Sequence, residues 1–546
     1  MKNNSKILLC ALNSKFIHSC LAVHSLKKFA VTNGYDKEKI SIKEFTINDT
    51  LDFILNGIFS ENPDAVAFSV YIWNVDFVSK LCRILKTVSP DIQIILGGPE
   101  VSYTEKHPLF DEKIFDFILK GEGEKSFFNL ITTGEVTDEK IIDLNELPFT
   151  YDEENISLFE NRIVYYETSR GCPFSCAYCL SSAEKGVRFL NLDRVKNELD
   201  FFANHNVRQV KFVDRTFNAD KKRAYEIWKY IIESFSDKNM NFHFEIAADL
   251  MDDNILKLLE TAPSGLIQLE IGIQSTNDET LTLNCRKTDT EKVLSNTSKL
   301  VSFNNINIHT DLIAGLPGES LEDFKKSFND VYSINSHQLQ LGFLKLLYGT
   351  EMENISKNYD FCFSQYPPYE ILNNKNLSHK DILFLKKFED VFEKVYNSQR
   401  FILSIKELEK HFENPFGMFT EISEFFEEKF LSFVSVSTKE IYNLLHNFYK
   451  EKICEDTKTF DEILLCDFYF SEKSELVPTE LKYLLPDAKV MSEKSSLILR
   501  SLGLQKQRGI IVRFVGKNTY IVDYSDRNRI NSRFSYKIYS SEISSI

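Results

Sequence analysis

Three closely spaced cysteines, Cys172, Cys176 and Cys179, are the residues of this sequence best suited to chemistry. An apolar run at 163–166 leads into them, so the thiols follow a predicted strand and lie in a loop. Sulfurs this close in sequence can converge on one metal centre. A closed zinc site takes four ligands, and a ferredoxin cluster normally takes four cysteines. Three thiolates therefore predict a [4Fe–4S] cluster with one iron left open for another ligand.

The Cys-x3-Cys-x2-Cys spacing resembles the signature of the radical S-adenosylmethionine (SAM) superfamily, and Tyr178 fills the aromatic position before the last cysteine. The resemblance implies that SAM chelates the open iron through its amino and carboxylate groups. An electron from an external donor such as flavodoxin or ferredoxin would then let the cluster cleave SAM to methionine and a 5′-deoxyadenosyl radical. From the residues alone, a degenerate zinc knuckle or three incidental thiols stay open as alternatives.

Composition places the chain among folded proteins. Hydrophobic residues make up 43% and charged residues 27% of 546 residues, enough for roughly two to four domains. No apolar run reaches the ~18 residues of a membrane span, and the N-terminus lacks a signal peptide, so we expect a cytoplasmic protein. The net charge of −15 argues against a surface that coats nucleic acid. The isolated cysteines are expected to be reduced and buried: Cys10, Cys20, Cys82, Cys285, Cys362, Cys454 and Cys466.

Residues 1–145 alternate short apolar runs with amphipathic segments. The alternation predicts an α/β domain with a doubly wound parallel sheet, Rossmann-like or flavodoxin-like, whose ligand-binding loops follow the strands. The predicted strands are 6–12, 40–45, 65–70, 92–96 and 115–119, and the predicted helices are 19–32, 51–59 and 75–88.

The loops after these strands resemble those of the cobalamin (vitamin B12)-binding domain that precedes the radical SAM domain in one large enzyme class. The resemblance rests on residues 95–100 and 116–124, where glycines let the backbone approach a bulky ligand closely. It implies a set of candidate cobalamin contacts: Asn13, Ser14, Ser69, Tyr71, Trp73, Gly97, Gly98 and Glu122.

B12 domains that supply a histidine to cobalt carry Asp-x-His-x-x-Gly after the first strand, and this sequence has no such pattern. We therefore expect no protein histidine on the lower cobalt face. His18 is the nearby candidate, with a surface or capping role as the alternative. A domain that has lost cobalamin and serves as an empty scaffold also stays open.

Residues 146–350 continue the strand–helix alternation after an acidic linker at 143–161. Six βα units predict the partial (β/α)6 barrel that radical SAM enzymes resemble, with its chemistry at the carboxyl ends of the strands. The further strands are 209–213, 242–247, 266–271, 306–313 and 338–344, and the helices are 193–205, 221–235, 253–260, 288–303 and 321–334.

Polar residues and glycines at those strand ends predict a SAM pocket. The resemblance suggests that Glu245 and Gln274 lie near the ribose or methionine end of SAM, and that Arg286 meets its carboxylate. Arg188 either closes over the cofactors or makes a surface ion pair. The alternative for each single residue is a hydrogen bond at the barrel rim. The full set is Tyr178, Asp214, Glu245, Gln274, Arg286, Ile313 and Gly315.

The C-terminal third divides into a mainly helical domain, 351–499, and a basic β-rich tail, 500–546. The helical part, with helices at 379–396, 405–412, 421–433 and 438–451, resembles an uncharacterised domain found with some B12-radical SAM proteins. The tail has nine Lys or Arg against three acids and strand-like runs at 510–515, 519–524 and 534–539. It could bind phosphate or a tRNA, or dock onto the acidic body of the chain.

These features together favour a cobalamin-dependent radical SAM methyltransferase that uses the 5′-deoxyadenosyl radical and methylcobalamin to methylate an unactivated carbon. One alternative is radical chemistry without methyl transfer, such as rearrangement, cyclisation or sulfur insertion, with a small molecule or a modified tRNA nucleoside as substrate. A second is a cobalamin- or redox-responsive binding protein with a structural cluster. The substrate is not readable from the sequence, and a small metabolite, a lipid-like molecule, a peptide or a modified tRNA base would all be compatible.

Overall fold

The computed structural model describes residues 5–104, 107–183, 185–429, 436–505 and 507–539. Several predicted features therefore lie outside the described residues. They are the end of the helix predicted at 421–433, Lys506 of the basic tail, and residues 540–546.

The N-terminal domain is a five-stranded parallel sheet in the order β2-β1-β3-β4-β5, which confirms the doubly wound prediction. Alternate residues of β1 belong to different cores, with Leu8 and Leu12 on one face and Ile7 and Leu9 on the other. Burial on both faces explains why the strands read as continuous apolar runs. The elements are β1 (Ile7–Asn13), α1 (Leu21–Thr32), β2 (Ile40–Thr46), α2 (Leu51–Ser60), β3 (Ala65–Ser69), α3 (Val75–Val88), β4 (Gln93–Gly97), α4 (Pro99–Ser102), β5 (Phe117–Leu119) and α5 (Gly123–Thr133).

The second domain contains six parallel strands in the order β6-β9-β10-β11-β12-β13, the partial barrel that the sequence predicted. A separate antiparallel hairpin, β7 and β8, lies beyond the end of β6. The elements are β6 (Val164–Tyr166), β7 (Ser169–Cys172), β8 (Gly186–Phe189), α6 (Leu192–Asn204), β9 (Gln209–Phe212), α7 (Lys221–Phe235), β10 (Asn241–Ile246), α8 (Asp253–Glu260), β11 (Ile267–Gln274), α9 (Asp278–Leu283), α10 (Thr290–Ser302), β12 (Asn307–Ala314), α11 (Leu321–Tyr332) and β13 (Gln338–Phe343).

The C-terminal region is mainly helical and shares one continuous hydrophobic core with the barrel. Phenylalanines of α11 pack there against those of the helices His379–Phe392 and Pro415–Lys429. The ring of Phe328 lies 5.1 to 6.5 Å from the rings of Phe388, Phe416 and Phe419, and Phe388 stacks on Phe416 at 4.5 Å. The elements are α12 (Met352–Ile355), β14 (Cys362–Phe363), β15 (Ile371–Asn373), α13 (His379–Phe392), α14 (Ile402–Leu408), α15 (Pro415–Lys429), α16 (Thr438–Lys452), α17 (Lys458–Ser471) and α18 (Ala488–Ser501).

The basic tail forms a three-stranded antiparallel sheet of β16 (Ile510–Val515), β17 (Asn518–Arg527) and β18 (Phe534–Ile538). Arg533 makes a buried ion pair with Asp467 of α17 at 2.9 Å, and the connection between β17 and β18 reaches the barrel. There the carbonyl oxygen of Ile530 accepts a hydrogen bond from Asn307, the first residue of β12, at 2.7 Å. Docking onto the body of the chain is therefore confirmed.

Two sequence predictions about burial were wrong. Cys285, Cys362 and Cys454 are exposed, although Cys10, Cys20, Cys82 and Cys466 are buried as expected. All ten cysteines are free. The acidic segment at 143–161 is more than a linker, because it contributes Leu144, Leu147, Tyr151 and Phe159 to the barrel core. Among helices in the described ranges, none combines the length and apolar character that a membrane crossing requires.

Candidate active site

The β7–β8 hairpin presents the three thiols. Cys172 ends β7 opposite Gly186, and the chain between the strands turns tightly enough for the amide of Cys179 to donate to the carbonyl oxygen of Cys176 at 3.0 Å. Gly171 has a φ of +99°, and a β-carbon there would lie 2.1 Å from the carbonyl oxygen of Gly186. Only glycine fits this position, so the close approach of β7 and β8 beside Cys172 depends on it.

The thiols differ in exposure and neighbours. Cys176 is buried, with its Sγ 3.6 Å from a guanidinium nitrogen of Arg286, whereas Cys172 and Cys179 are half-buried. The Sγ of Cys172 lies 3.5 Å from the hydroxyl of Thr216, just after β9. Within the described ranges no three His, Cys, Asp or Glu side chains meet closely enough to hold a single ion. Each thiolate of an iron–sulfur cluster binds its own iron, so the three thiols of this loop need not meet at a single ion to hold a cluster.

Asp214 anchors the strand that carries Cys172. Its buried carboxylate accepts hydrogen bonds from the amide and hydroxyl of Thr168 at 2.9 and 2.6 Å and from the hydroxyl of Ser169 at 2.6 Å. Burial raises the pKa of Asp214 to about 6, although these hydrogen bonds oppose the rise. The carboxylate is thus occupied within the protein, and its contribution to a SAM pocket is to fix the hairpin.

Three other predicted SAM residues gather beside Cys176. Arg286 donates to the carbonyl oxygen of Gly272 and lies 3.3 Å from the hydroxyl of Tyr178. Gln274, at a bulge in β11, has a φ of +73°. Its Oε1 and the Nε of Arg286 are buried without a hydrogen-bond partner. Orphaned polar atoms beside the thiols fit a polar ligand that would complete this site.

The remaining SAM candidates occupy two different places. Ile313 lies at the end of β12, and Gly315 follows with a φ of +95° and a carbonyl oxygen that accepts from Asn374 at 3.1 Å. This turn packs against Ile371 of β15, which lies in the same small core as Tyr178. Glu245, in β10, faces the cavity between the two α/β domains.

Two adjoining cavities separate the N-terminal sheet from the barrel, and together they are lined by all eight predicted cobalamin residues. Asn13, Ser14, Tyr71 and Trp73 line the first, of about 550 Å³. The second, of about 400 Å³, is lined by Ser69, Tyr71, Gly97, Gly98 and Glu122. A β-carbon at Gly121, in the same loop as Glu122, would meet no atom within 4 Å. Space beside glycine loops at strand ends fits a large planar ligand.

Several of these residues are already committed to protein contacts. Asn13 donates to Glu44 at 2.7 Å, and His18 lies 2.7 Å from the hydroxyl of Tyr165. His18 therefore has a partner in the barrel domain, and its surface or capping role stays a prediction. The rings of Tyr71 and Trp73 stack 4.3 Å apart, and Trp73 is 46% exposed, so this pair offers a flat apolar surface to the first cavity.

The barrel interior carries an unusual set of charges. The Nζ of Lys211 lies 3.1 Å from Glu270 and 3.9 Å from Glu245, and His309 lies 3.1 Å from Asp311. Burial, followed by the charge of Glu270, raises the pKa of Glu245 to about 7. Burial opposes ionisation of Glu270 as well, but a hydrogen bond from His243 and the charge of Lys211 hold its pKa well below the usual value.

Sequence reasoning did not assign Lys211, His243 or His309 to the site. Each stands between two buried residues of its strand, a pattern that indicates an inward polar face when a barrel is expected. It also missed Arg170 and Glu124, which meet across the domains at 2.9 Å. Arg188 makes the predicted ion pair, with Glu122, but the pair is largely buried and not on the surface. Closure of Arg188 over the cofactors stays a prediction.

Comparison with known families now identifies the domains. Residues 9–131 match the B12 binding domain, residues 166–331 the Radical SAM superfamily, and residues 357–507 a protein family of unknown function, DUF4080. The chain therefore contains a domain that matches the radical SAM superfamily. It carries a B12-binding domain before the radical SAM domain, as the resemblance implied.

Curated relatives share part of this layout. The chain is 24% identical over 327 residues to 2-(S-pantetheinyl)-carbapenam-3-carboxylate methyltransferase from Streptantibioticus cattleyicolor, covering 51% of this chain and 46% of the relative. It is 25% identical over 323 residues to the cobalamin-dependent radical SAM methyltransferase TokK from Streptomyces tokunonensis, covering 50% and 46%. The match thus spans less than half the length of these relatives.

Solved structures share the fold. OxsB, a cobalamin-dependent SAM radical enzyme with aqua-cobalamin and SAM bound, superposes with a TM-score of 0.55 at 16% identity, covering 92% of this chain and 81% of OxsB. The methyltransferase TsrM from Kitasatospora setae, with cobalamin and a [4Fe–4S] cluster bound, gives a TM-score of 0.50 at 17% identity, covering 64% and 74%.

Proposed function

We propose that this protein is a cobalamin-dependent radical SAM methyltransferase that acts on an unactivated carbon of a polar small molecule. One observation carries the proposal. The cavity beside the glycine loops of the B12-binding domain is also lined by Ser169, Arg170 and Gly171, which lead directly to Cys172. The proposed cobalamin site and the proposed cluster site therefore face each other across one cavity.

Different residues of the chain would bind the two cofactors. Cys172, Cys176 and Cys179 would hold the cluster, and the loops at Gly97 and Gly121 would hold cobalamin. When bound, the cluster with SAM supplies hydrogen-atom abstraction, and cobalamin supplies the methyl group. The protein itself orients these groups: Arg286 holds a positive charge beside Cys176, and Asp214 fixes the start of the hairpin.

The charged barrel interior supports a polar substrate. Barrel interiors are usually filled with apolar side chains, but here Lys211 and Glu245 line the first cavity, and Glu270 contacts Lys211. A lipid-like substrate would leave these charges desolvated, whereas a substrate with hydroxyl, amine or carboxylate groups would pair with them. Arg215 lines both cavities and makes no ion pair within 4 Å in the described part of the chain, so it can meet a substrate anion.

A tRNA substrate is less well supported by the tail. Four of its basic residues have partners in the protein: Arg533 pairs with Asp467, Arg513 and Arg527 lie over the rings of Tyr469 and Phe534, and Arg529 packs on Gly265. One relative is nevertheless a tRNA-modifying enzyme, the tRNA-2-methylthio-N(6)-dimethylallyladenosine synthase from Endomicrobium trichonymphae. This chain is 25% identical to it over 200 residues, which cover 36% of this chain. Retention of bulk tRNA on the purified protein at physiological salt would favour that alternative over a small molecule.

The direct test is cofactor binding by anaerobically purified protein. After reconstitution with iron and sulfide, the ultraviolet–visible spectrum is recorded with and without hydroxocobalamin. A triple Cys172/Cys176/Cys179→Ala variant should lose the cluster absorption and keep cobalamin. The matched control replaces the exposed Cys285, Cys362 and Cys454 by Ala and should keep both. Failure of the wild-type protein to retain cobalamin would overturn the methyltransferase proposal.

Product analysis separates methyl transfer from other radical chemistry. With SAM and a chemical reductant, a methyltransferase of this kind should form both S-adenosylhomocysteine and 5′-deoxyadenosine. Formation of 5′-deoxyadenosine alone by cobalamin-loaded protein would favour rearrangement, cyclisation or sulfur insertion.

A further inference from the structure

Two arginines of the cysteine hairpin bind the N-terminal domain. Arg170 and Arg188 are cross-strand neighbours on β7 and β8, and both guanidinium groups reach the carboxylate of Glu122. Arg170 also binds Glu124 at 2.9 Å and Glu167 at 2.7 Å. We call Glu122, Glu124, Arg170 and Arg188 the hairpin clamp.

The clamp is largely buried. The side chains of Glu122 and Glu124 are 6% and 8% exposed, and that of Arg170 is 16% exposed. Charged pairs this far from water are sensitive to geometry, because removal of one partner leaves the other charge desolvated. Bidentate guanidinium–carboxylate contacts also fix direction as well as distance. The clamp therefore holds the hairpin in one position relative to the N-terminal sheet.

The two ends of the clamp belong to different candidate sites. Glu122 lies between Gly121 and Gly123 and lines the second cavity together with Gly97 and Gly98. Arg170 lines the same cavity from the opposite side and is two residues from Cys172. A ligand that orders the glycine loop would thereby order the strand that presents the first thiol.

We propose that Arg170 and Arg188 are positioning residues that couple occupancy of the N-terminal ligand cavity to the geometry of the cysteine hairpin. This inference rests on the proposed function, because it takes cobalamin as the cavity's ligand and a cluster as the hairpin's. Coupling between two sites is reciprocal. Cluster-loaded protein should therefore bind hydroxocobalamin more tightly than cluster-free protein, by at least about fivefold if the coupling is of typical size.

The experiment measures that ratio by absorbance titration of hydroxocobalamin into cluster-free and reconstituted full-length protein. In Arg170→Gln and in Arg188→Gln the ratio should fall towards one. Arg170→Lys keeps the charge but loses the forked contact, and it should give an intermediate ratio if the bidentate geometry matters. It also serves as the informative variant if Arg170→Gln does not fold, as judged by circular dichroism.

The matched control is Arg162→Gln. Arg162 makes a similarly buried contact with Glu44 at 3.3 Å, and it joins the same two domains without touching the hairpin. Its affinity ratio should equal that of the wild-type protein. A second readout is the single-turnover yield of S-adenosylhomocysteine relative to 5′-deoxyadenosine, which should drop in the clamp variants at equal iron and cobalamin content.

The outcomes separate this inference from the proposed function. Wild-type protein that binds no hydroxocobalamin would overturn the proposed function, and the clamp inference with it. Wild-type protein that binds both cofactors with a ratio of one would overturn only the coupling. Folded Arg170→Gln and Arg188→Gln proteins that keep the wild-type ratio would also overturn it.

Discussion

Asp214 and Thr168 are joined by two hydrogen bonds, since the carboxylate accepts from both the backbone amide and the hydroxyl of Thr168. The two residues are 46 positions apart in sequence, and the contact ties the end of β9 to the start of the cysteine hairpin. Asp214 thus fixes the start of the hairpin from the barrel side.

Asp214→Ala should release the start of the hairpin. The change leaves the amide and hydroxyl of Thr168 and the hydroxyl of Ser169 without their acceptor, at a cost of about 1–3 kcal/mol per buried group left unpaired. Iron content after reconstitution should fall. Ser169→Ala removes only one of the three donors and should lose less iron. Full iron content in Asp214→Ala would show that the hairpin needs no anchor at this point.

Gly171→Ala should abolish cluster binding, because the new β-carbon would collide with the backbone oxygen of Gly186 at 2.1 Å. Gly34→Ala is the matched control, since Gly34 has a similar φ of +95° but open space around it. The left-handed backbone alone costs roughly 1–2 kcal/mol. Gly34→Ala should therefore lower the melting temperature slightly and keep the iron. Equal iron content in the two variants would contradict the steric argument.

Glu245 should make SAM binding depend on pH. Its pKa of about 7 means that the carboxylate is mostly protonated at pH 6 and mostly ionised at pH 8. An ionised Glu245 attracts the sulfonium cation of SAM, so its contribution to affinity should grow as pH rises, by up to roughly tenfold. Equilibrium dialysis of wild-type and Glu245→Gln proteins tests this. The titration of SAM itself affects both proteins alike. A ratio of wild-type to variant affinity that stays constant between pH 6 and pH 8 would rule out a contribution of Glu245.

Trp73→Ala should weaken hydroxocobalamin binding by roughly tenfold or more, because the stacked pair with Tyr71 loses most of the flat apolar area that it offers the cavity. Phe53→Ala is the control. Phe53 is 60% exposed on α2, and it lines neither cavity. Titration of both proteins should show weaker binding only for Trp73→Ala, and unchanged affinity would remove Trp73 from the site.

Arg533→Ala should destabilise the chain strongly. Asp467 is fully buried, and its charge would remain without its guanidinium partner, which typically costs about 3–5 kcal/mol. Thermal unfolding should move down by several degrees, whereas Lys537→Ala, at an exposed position of β18, should leave it unchanged. Adding Asp467→Asn to Arg533→Ala should recover part of the loss. An unaltered melting temperature in Arg533→Ala would show that the docked tail contributes little stability.

Periodicity predicted most of the elements that position the site. The bounds of α3, α7 and α8 agree with the sequence prediction, because each helix has one buried and one solvated face. Two C-terminal helices were missed for opposite reasons. Residues 464–471 of α17 are all buried, so it has no polar face there, and α18 has no buried residue. α17 therefore lacks the amphipathic pattern that sequence reasoning detects, whereas the apolar residues of α18 have no buried face to which they could be assigned.

The cluster cysteines were readable because they are close in sequence, but the contacts that orient them were not. Glu122 and Arg188 are 66 positions apart, and Lys211 and Glu270 are 59 apart. Such pairs form only when separate elements are brought together, and no local pattern specifies which acid meets which base. The sequence therefore indicated which residues belong to the site, whereas the contacts between them could be read only from the folded structure.

The hydrogen bond between Ile530 and Asn307 has a consequence for the order in which the molecule can be completed. The two residues are 223 positions apart, and Asn307 lies at the amino end of its strand, opposite the end that carries the thiols. During synthesis, every barrel strand leaves the ribosome well before the segment that covers this amino end. If a cluster is inserted before the tail has been translated, the amino end of the barrel is still uncovered at that time. The chain's own topology thus makes the covering of this amino end a late step of folding, after every barrel strand has been synthesised.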